Sequence, residues 1–458
     1  MNKIKDYKLK VSITDFGAVS SSAELQTDSI QAAIDFCFKK GGGEIQIPKG
    51  EFLTGGIRLR SNTTLHLLEG AKLIGSRDCE DYFVLQKDKV EPVEAYILTE
   101  EERINGRSPD GLHYGRPWLS SLIKIYKAKN VAIIGEKDSI LDGRDCYDEN
   151  GEEGFRGPHM IVVGESKNLY FKGYTVRNSA NWAHCIWNCN NITCREVTIK
   201  AGHDGFDVFG CKNVLVENCN FFTGDDSMAG FANYKVKVRN CNMSSSCSAF
   251  RFSGTQVDVC NCNIEGNSPY VHRYTLTKEE QITNNILSDE ENPNHRYRMK
   301  SFYTYYGDNR LVIKRAPSKI VFDNCKVDNP TKFFHYNYSG SECWSMNRPL
   351  KDITFKNMVV SNVNLPMIAY GDDNYPVTVT IENVTINVAD DFSDNCLLRT
   401  ANLKKLIFKN VKLNNFKGEM LVKNYGKNTG EVVLDNTNIS KDLPTIIETD
   451  EKFEVEMI

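Results

Sequence analysis

Two aspartates stand side by side at Asp225 and Asp226, in the stretch FFTGDDSMAG that runs from Phe221 to Gly230. Adjacent carboxylates repel, so the pairing calls for a reason. A third, Asp204, lies in AGHDGFDVFG, 21 residues before Asp225 and 22 before Asp226, and Asp207 follows on the same segment. Carboxylates brought together raise the proton affinity of one member. A set with divided protonation suits glycoside hydrolysis, where an acid protonates the leaving oxygen and a base activates water. A calcium site and a solvated turn of aspartates are the other readings of this spacing. The choice turns on whether a separation of 21 or 22 residues brings the three onto one face.

A repeat near that length runs along the chain. SKNLYFKGYTV, CNNITCREVTI, CKNVLVENCNF, NYKVKVRNCNM and GTQVDVCNCNI share a polar pair, an alternating apolar strand, often Asn-Cys, and a second short strand. Aligned on Asn168, Asn191, Asn213, Lys235 and Gln256, they recur at intervals of 23, 22, 22 and 21 residues. The pattern returns at Lys319 and continues more loosely through LKDITFKNMVV, VTVTIENVTI, LKKLIFKNVKL and GEVVLDNTNI; NTTLHLLEGAKLIGS and AKNVAIIGEKDSILDG read as earlier coils. Short strands punctuated by Gly and Asn, with no helices between them, make this an all-β chain. A strand repeat of this length suits a single-stranded parallel β-helix, in which residues one period apart stack on the same face. Asp204 then lies one coil from Asp225 and Asp226, and Gly224 gives the backbone freedom to turn both carboxylates outward. Asn218, Asn240 and Asn261 are expected to form a hydrogen-bonded ladder, with Cys219, Cys241 and Cys262 a buried row beside it.

One helix is expected near the start. In TDSIQAAIDFCFKKGGG, Ile30, Ala33, Ile34, Cys37 and Phe38 recur at helical spacing. Thr27 is the expected N-cap, Lys39 and Lys40 suit the C-terminal dipole, and Gly41 the stop. A helix here caps the open end of the solenoid. The expected organisation is one β-helix domain over 1–458, with an N-terminal cap over about 1–45 and an inserted loop over about 265–297.

Composition narrows the function classes. Net charge is −4, which argues against a nucleic-acid binder with a broad basic face and leaves any acidic substrate to a few local cations. No run of 18 apolar residues is present, so no membrane span is expected. MNKIKDYKLKVSITDFGAV has no apolar signal core, so a cytoplasmic location is expected, with the 15 cysteines as reduced thiols. There is no Cys-x-x-Cys, and no metal site or cofactor is expected.

The stretch HDGFDVFGCKNVLVENCNFFTGDDSMAG resembles the catalytic core of glycoside hydrolase family 28, the polygalacturonases, which reads Asn-Thr-Asp-Gly and then Gly-Asp-Asp. The run from ITDFGAV to GAKLIGS resembles that family's opening coils, and the likeness covers most of the chain. It implies a right-handed parallel β-helix that hydrolyses pectic polysaccharides with inversion of the anomeric centre. Carried over, Asp225 is the general acid, and Asp204 and Asp226 hold and activate the water. The implied partner is an acidic oligosaccharide or polysaccharide, met by a monomer or a homo-oligomer. The family's Asn-Thr is here Gly202-His203, and its Gly-His-Gly is here Ser246-Cys247-Ser248, without the histidine.

Candidate substrate-binding residues follow. The resemblance sets Arg298-Met299-Lys300 against the family's Arg-Ile-Lys, a grip for a substrate carboxylate. Arg251 is a further cation, on the strand face of Cys247. His203 is placed to bond a substrate or a neighbouring aspartate. Trp182 and His184, in NWAH, fall one coil before Asp204. The five aromatics between Tyr297 and Tyr306 suit either a cleft wall or internal packing. His159, His272, His295 and His335 are weaker candidates. A lyase or epimerase on the same fold, with the aspartates on a metal and Arg251 as base, and a non-catalytic carbohydrate-binding β-helix are the competing functions.

Overall fold

The structure is a computed structural model describing residues 6–82, 120–283, 296–307, 316–338, 349–425, 430–439, 445–447 and 454–457. The chain divides into two compact units, Met1–Asp225 with Pro269–His295, and Asp226–Ser268 with Arg296–Ile458.

The first unit is built of parallel ladders. One stacks Ile57–Leu59, Ser121–Tyr126, His159–Gly164, His184–Trp187 and Phe206–Phe209. A second runs through Gly43–Ile47, Thr63–Leu67, Lys129–Gly135, Lys167–Lys172, Asn190–Arg195 and Lys212–Glu217. A third runs through Gly50–Thr54, Ala71–Gly75, Ile140–Asp142, Thr175–Arg177, Thr198–Ala201 and Asn220–Thr223. Register follows the repeat: Ile161 stands on His184 and His184 on Phe206. Because strand side chains alternate between faces, these rows fill the interior with Ile, Val and Phe, almost all fully buried.

Asparagine recurs at the coil corners for a backbone reason. Asn62, Asn130, Asn168, Asn191 and Asn213 all adopt left-handed φ near +55° to +61°, a conformation Asn tolerates better than most residues. Their side chains then bond coil to coil, Asn130 to Asn62 at 2.8 Å, Asn168 to Asn130 at 2.8 Å and Asn191 to Asn168 at 3.0 Å. The first unit's ladder thus runs through the positions that anchor the repeat. Asn218, Asn240 and Asn261 share the left-handed turn, and in the second unit Asn324 bonds Asn261 at 2.9 Å. The Cys219, Cys241 and Cys262 thiols are buried and donate to the carbonyls two residues back.

The expected helix is Thr27–Lys39, with Ile30, Ala33, Ile34 and Cys37 fully buried. Two details differ from expectation. Thr27 is the first helical residue rather than the N-cap, and its hydroxyl accepts from the Gly55 N–H at 2.8 Å, tying the helix to the first coils. Phe38 lies outside the buried stripe, where the Arg60 guanidinium covers its ring at 5.8 Å.

The second unit repeats the parallel plan. Its long strands Met228–Arg239 and Ser248–Cys260 pair in parallel with one register shift, between Gly230 and Asn233, and Asp352–Val363 pairs with Val377–Val388 in parallel with one between Ser361 and Val363. Of the aromatics from Tyr297 to Tyr306, Phe302, Tyr303 and Tyr305 are buried in packing, Phe302 among Phe250, Phe322 and Phe333. Part of the expected insert, residues 284–295 with His295, lies outside the described residues.

Candidate active site

The strand Asn220–Thr223 ends just before the aspartate pair, and the next begins at Met228. Asp225 closes the first unit and Asp226 opens the second. Gly224 follows Thr223 without a left-handed φ, so its lack of a side chain serves something other than a turn. A Cβ there would lie 1.9 Å from the Val271 carbonyl oxygen and 2.2 Å from that of Gly202. Gly202 is alike: its Cβ would meet the Tyr274 carbonyl oxygen at 2.2 Å. The two glycines admit a strap of chain, residues 269–276, that crosses the corner and donates the Tyr274 N–H to the Gly202 carbonyl at 3.3 Å.

The strap carries side chains onto Asp225, which is buried. His272 Nε2 lies 3.1 Å from Asp225 Oδ1, and Arg273 Nε lies 3.2 Å from Oδ2. Arg156, buried in the loop before His159–Gly164, brings Nη2 to 3.7 Å from the same oxygen. Arg156 Nε is 3.1 Å from Glu153, which also pairs with Arg273, and Arg156 Nη1 bonds Asn181 Oδ1 at 3.1 Å. An Asp204 carboxylate oxygen lies within 4.8 Å of one of Asp225, so the one-coil arithmetic brings these two together.

Burial alone pushes the Asp225 carboxyl up, but His272, Arg156 and Arg273 outweigh it and hold the group well below the usual carboxylate range. Asp225 is therefore ionised in the free protein. The proton expected from clustered like charges does not rest there, because positive charges face it more closely than negative ones. Arg156 is held more firmly charged than usual: burial works against its charge, and Glu152 and Asp225 more than restore it. With three basic side chains already facing the carboxylate, this arrangement favours acid/base chemistry over calcium ligation.

The binding candidates separate by location. His203 is fully buried, stacked on Phe155 and bonded through Nε2 to Thr275 Oγ1 of the strap. Burial and the nearby Arg156 charge push its pKa well down, so it is neutral and fastens the strap from beneath. His184 is corrected outright. It faces the interior, fully buried among Phe171, Tyr174 and Phe206, with Nε2 2.9 Å from the Tyr174 hydroxyl. The strand's alternation turns it inward, so it packs the core and lines no cleft. Trp182 is half-buried, against His159 and Phe209, and the next residue donates its N–H to the Asp204 carbonyl at 2.8 Å.

In the second unit, Arg251 Nη1 is 3.9 Å from Asp226 Oδ2, and its guanidinium lies 4.7 Å from the Tyr306 ring centre. Cys247 begins the same strand region, its N–H bonded to Ser245 Oγ at 2.9 Å. Arg298 turns elsewhere, to the Asn362 carbonyl and to Asp391 at 3.8 Å. Lys300 is exposed on the same strand face as Arg298, with buried Met299 between them.

Sequence reasoning missed Arg156, Glu153 and Arg273. The first two sit in a loop outside the repeat, and Arg273 in the insert, where period arithmetic has no reach. The dipeptide His272-Arg273, paired with glycines at two stacked corners, was the available signal.

The family model of the glycosyl hydrolases family 28 matches residues 114–248, a span that includes Arg156, Asp204, Asp225 and Asp226. An exo-poly-alpha-D-galacturonosidase of Dickeya chrysanthemi is 28% identical over 225 residues, 41% of this chain and 35% of that protein. A probable polygalacturonase of Vitis vinifera is 29% identical over 198 residues, 42% of this chain and 36% of that protein. The chain thus spans about a third of the length of these relatives. In fold, the structure of the Yersinia enterocolitica family 28 exopolygalacturonase matches with a TM-score of 0.62 at 18% identity, covering 92% of this chain and 79% of that one. Within residues 114–248 the chain is thus similar to glycoside hydrolase family 28, and its fold is similar to that of an exopolygalacturonase of that family.

Proposed function

We propose that the protein hydrolyses glycosidic bonds of galacturonan-type oligosaccharides or polysaccharides. The observation that carries this reading is Asp225, buried beside Asp204 and gripped by His272, Arg273 and Arg156. In the proposed mechanism Asp225, ionised in the free protein, takes up a proton from solvent as substrate binds and delivers it to the leaving oxygen, while Asp204 and Asp226 orient and deprotonate the attacking water. Trp182 offers a ring face to a sugar, and Arg251 a cation to a substrate carboxylate.

Inversion at the anomeric carbon is the proposed outcome. Inverting carboxyl pairs usually stand about 6.5–9.5 Å apart and retaining pairs about 5–5.5 Å. The Asp204 and Asp225 oxygens come within 4.8 Å of each other. Inversion therefore requires the water to be held beside this pair rather than between its nearest oxygens. The test is incubation with defined galacturonate oligosaccharides, with reducing ends quantified. Loss of sugar release in both Asp225→Asn and Asp204→Asn supports the reading; full activity in Asp225→Asn removes it.

A further inference from the structure

We propose that Cys79 and Cys146 are a redox-active pair, which a hydroperoxide closes into a disulfide that fastens the loop carrying Arg156 to the coil before it. The inference lies outside the glycosidase reading and stands without it.

Cys79 follows the strand Ala71–Gly75 and opens the short 3-10 helix Cys79–Tyr82. Cys146 follows the strand Ile140–Asp142 of the next coil, at the root of the loop that runs to His159–Gly164. Those strands stack in register, Lys72 on Ile140 and Ile74 on Asp142, so the segments leaving them emerge one above the other. The two sulfurs meet at 3.4 Å across 67 residues of sequence, and Cys79 Sγ also donates to the Tyr147 carbonyl at 3.3 Å. Neighbouring bonds fix both segments. The Tyr82 hydroxyl donates to the Ser76 carbonyl at 2.7 Å and the Gly56 N–H to the Asp81 carbonyl at 3.2 Å. On the other side the Asp145 N–H donates to the Asn178 carbonyl at 2.8 Å, and a Cβ on Gly157 would stand 1.7 Å from the Cys146 carbonyl oxygen.

The sulfurs are therefore held facing each other, and small side-chain rotations close the gap to a bond. Cys194 and Cys219 approach only to 3.9 Å, and both are buried. Cys79 is half-buried and Cys146 buried, so an oxidant meets Cys79 first. Hydrogen bonding with Cys79, and then burial, push the Cys146 thiol well up and keep its proton on. The thiolate is the nucleophile, which makes Cys79 the attacking sulfur and Cys146 the resolving one.

The step balances for hydrogen peroxide. The Cys79 thiolate attacks one peroxide oxygen, the O–O bond breaks, a sulfenic acid forms and hydroxide leaves. Cys146, no longer beside a thiolate, gives up its proton, and its sulfur attacks that of Cys79. The S–O bond breaks, the S–S bond forms and a second hydroxide leaves. The two thiol protons turn both hydroxides into water. Two thiols and one peroxide thus give one disulfide and two waters, with two electrons passing from sulfur to oxygen. In the reduced chain the loop is tied to the coil after it, through Asp145 to Asn178 and Gly157 to Ala180. The disulfide adds a tie to the coil before it, so the base of the loop bearing Glu152, Glu153 and Arg156 is held from both sides.

The test treats the reduced chain with hydrogen peroxide, blocks the remaining thiols and maps the unreduced peptides by mass spectrometry. The expected result is a cross-linked pair of peptides containing Cys79 and Cys146, separated by dithiothreitol. The oxidised chain should also melt several degrees above the reduced one, because closing a loop of 67 residues constrains the unfolded state. Cys79→Ser should give neither the linked pair nor the rise. If that variant does not fold, the peptide map and melt of the unaltered chain carry the test. Recovery of Cys79 and Cys146 unlinked, as thiols or as sulfinic acids, overturns the inference. An unchanged melting temperature in the linked chain overturns it too, and so does a rise that persists in Cys79→Ser. Neither readout uses a sugar substrate, so a chain that hydrolyses no galacturonate overturns the proposed function and leaves this test as it stands.

Discussion

Replacing Gly224 by alanine tests whether the strap makes the site. The added Cβ would stand 1.9 Å from the Val271 carbonyl oxygen, where ordinary contact begins at 3.4 Å, so the strap must retreat by about 1.5 Å. The obstacle is a backbone oxygen and a Cβ has no rotamer, so no side-chain rotation relieves the overlap. A retreat of that size takes His272 and Arg273 from 3.1 and 3.2 Å to well beyond hydrogen-bond reach of Asp225. Misplacement by an ångström typically costs about a hundredfold in rate, and overpacking costs about 1–3 kcal/mol in stability. The expected variant is folded, slower by about two orders of magnitude, and melts a few degrees lower. Steady-state release of reducing ends and a thermal melt measure both. A variant with the rate and pH optimum of the unaltered chain would refute the reasoning, since the strap's placement would then not matter.

Other consequences follow from the same geometry. Burial pushes His184 down to about 4, opposed by its bond to the Gly205 carbonyl. Unfolded histidine titrates near ~6.5, so this group's contribution to stability is complete above that pH and is lost as pH falls toward about 4, at about 1.4 kcal/mol per pH unit. Urea unfolding of His184→Phe should therefore lose about 2 kcal/mol less between pH 7 and pH 5 than the unaltered chain; equal losses would contradict the buried, neutral histidine. Arg156→Met should destabilise by about 3–5 kcal/mol, because it leaves Glu152, Glu153 and Asp225 poorly compensated in a buried setting; a neutral effect in chemical denaturation would place the arginine outside the network. Arg251→Ala should raise KM for acidic oligosaccharides by about tenfold with a smaller change in kcat, and an unaltered KM would remove Arg251 from substrate binding.

The coil plan was legible because it is periodic. Alternating apolar residues and Asn at a fixed interval specify strands and left-handed corners together, and Asn168, Asn191 and Asn213 sit in register as their spacing required. The same arithmetic brought Asp204 to Asp225. It misjudged His184, because counting by coils locates a residue along the stack without saying which face its strand presents. Thr27 was misread because a hydroxyl at a helix start has competing partners, and the Gly55 N–H won. Least legible was the charge on Asp225. Its neighbours come from segments 48 and 69 residues away in sequence, Arg273 after it and Arg156 before it, and neither belongs to the repeat.

The central claim is hydrolysis by proton delivery from Asp225, and the product of the first turnover tests it most directly. Proton NMR of a defined galacturonate oligosaccharide, recorded as the enzyme acts and before mutarotation, reports the anomer of each new reducing end. The account predicts new reducing ends of inverted configuration, absent in Asp225→Asn. A retained anomer would contradict the water-attack mechanism, and an unsaturated, ultraviolet-absorbing product in place of reducing-end release by water would contradict hydrolysis itself.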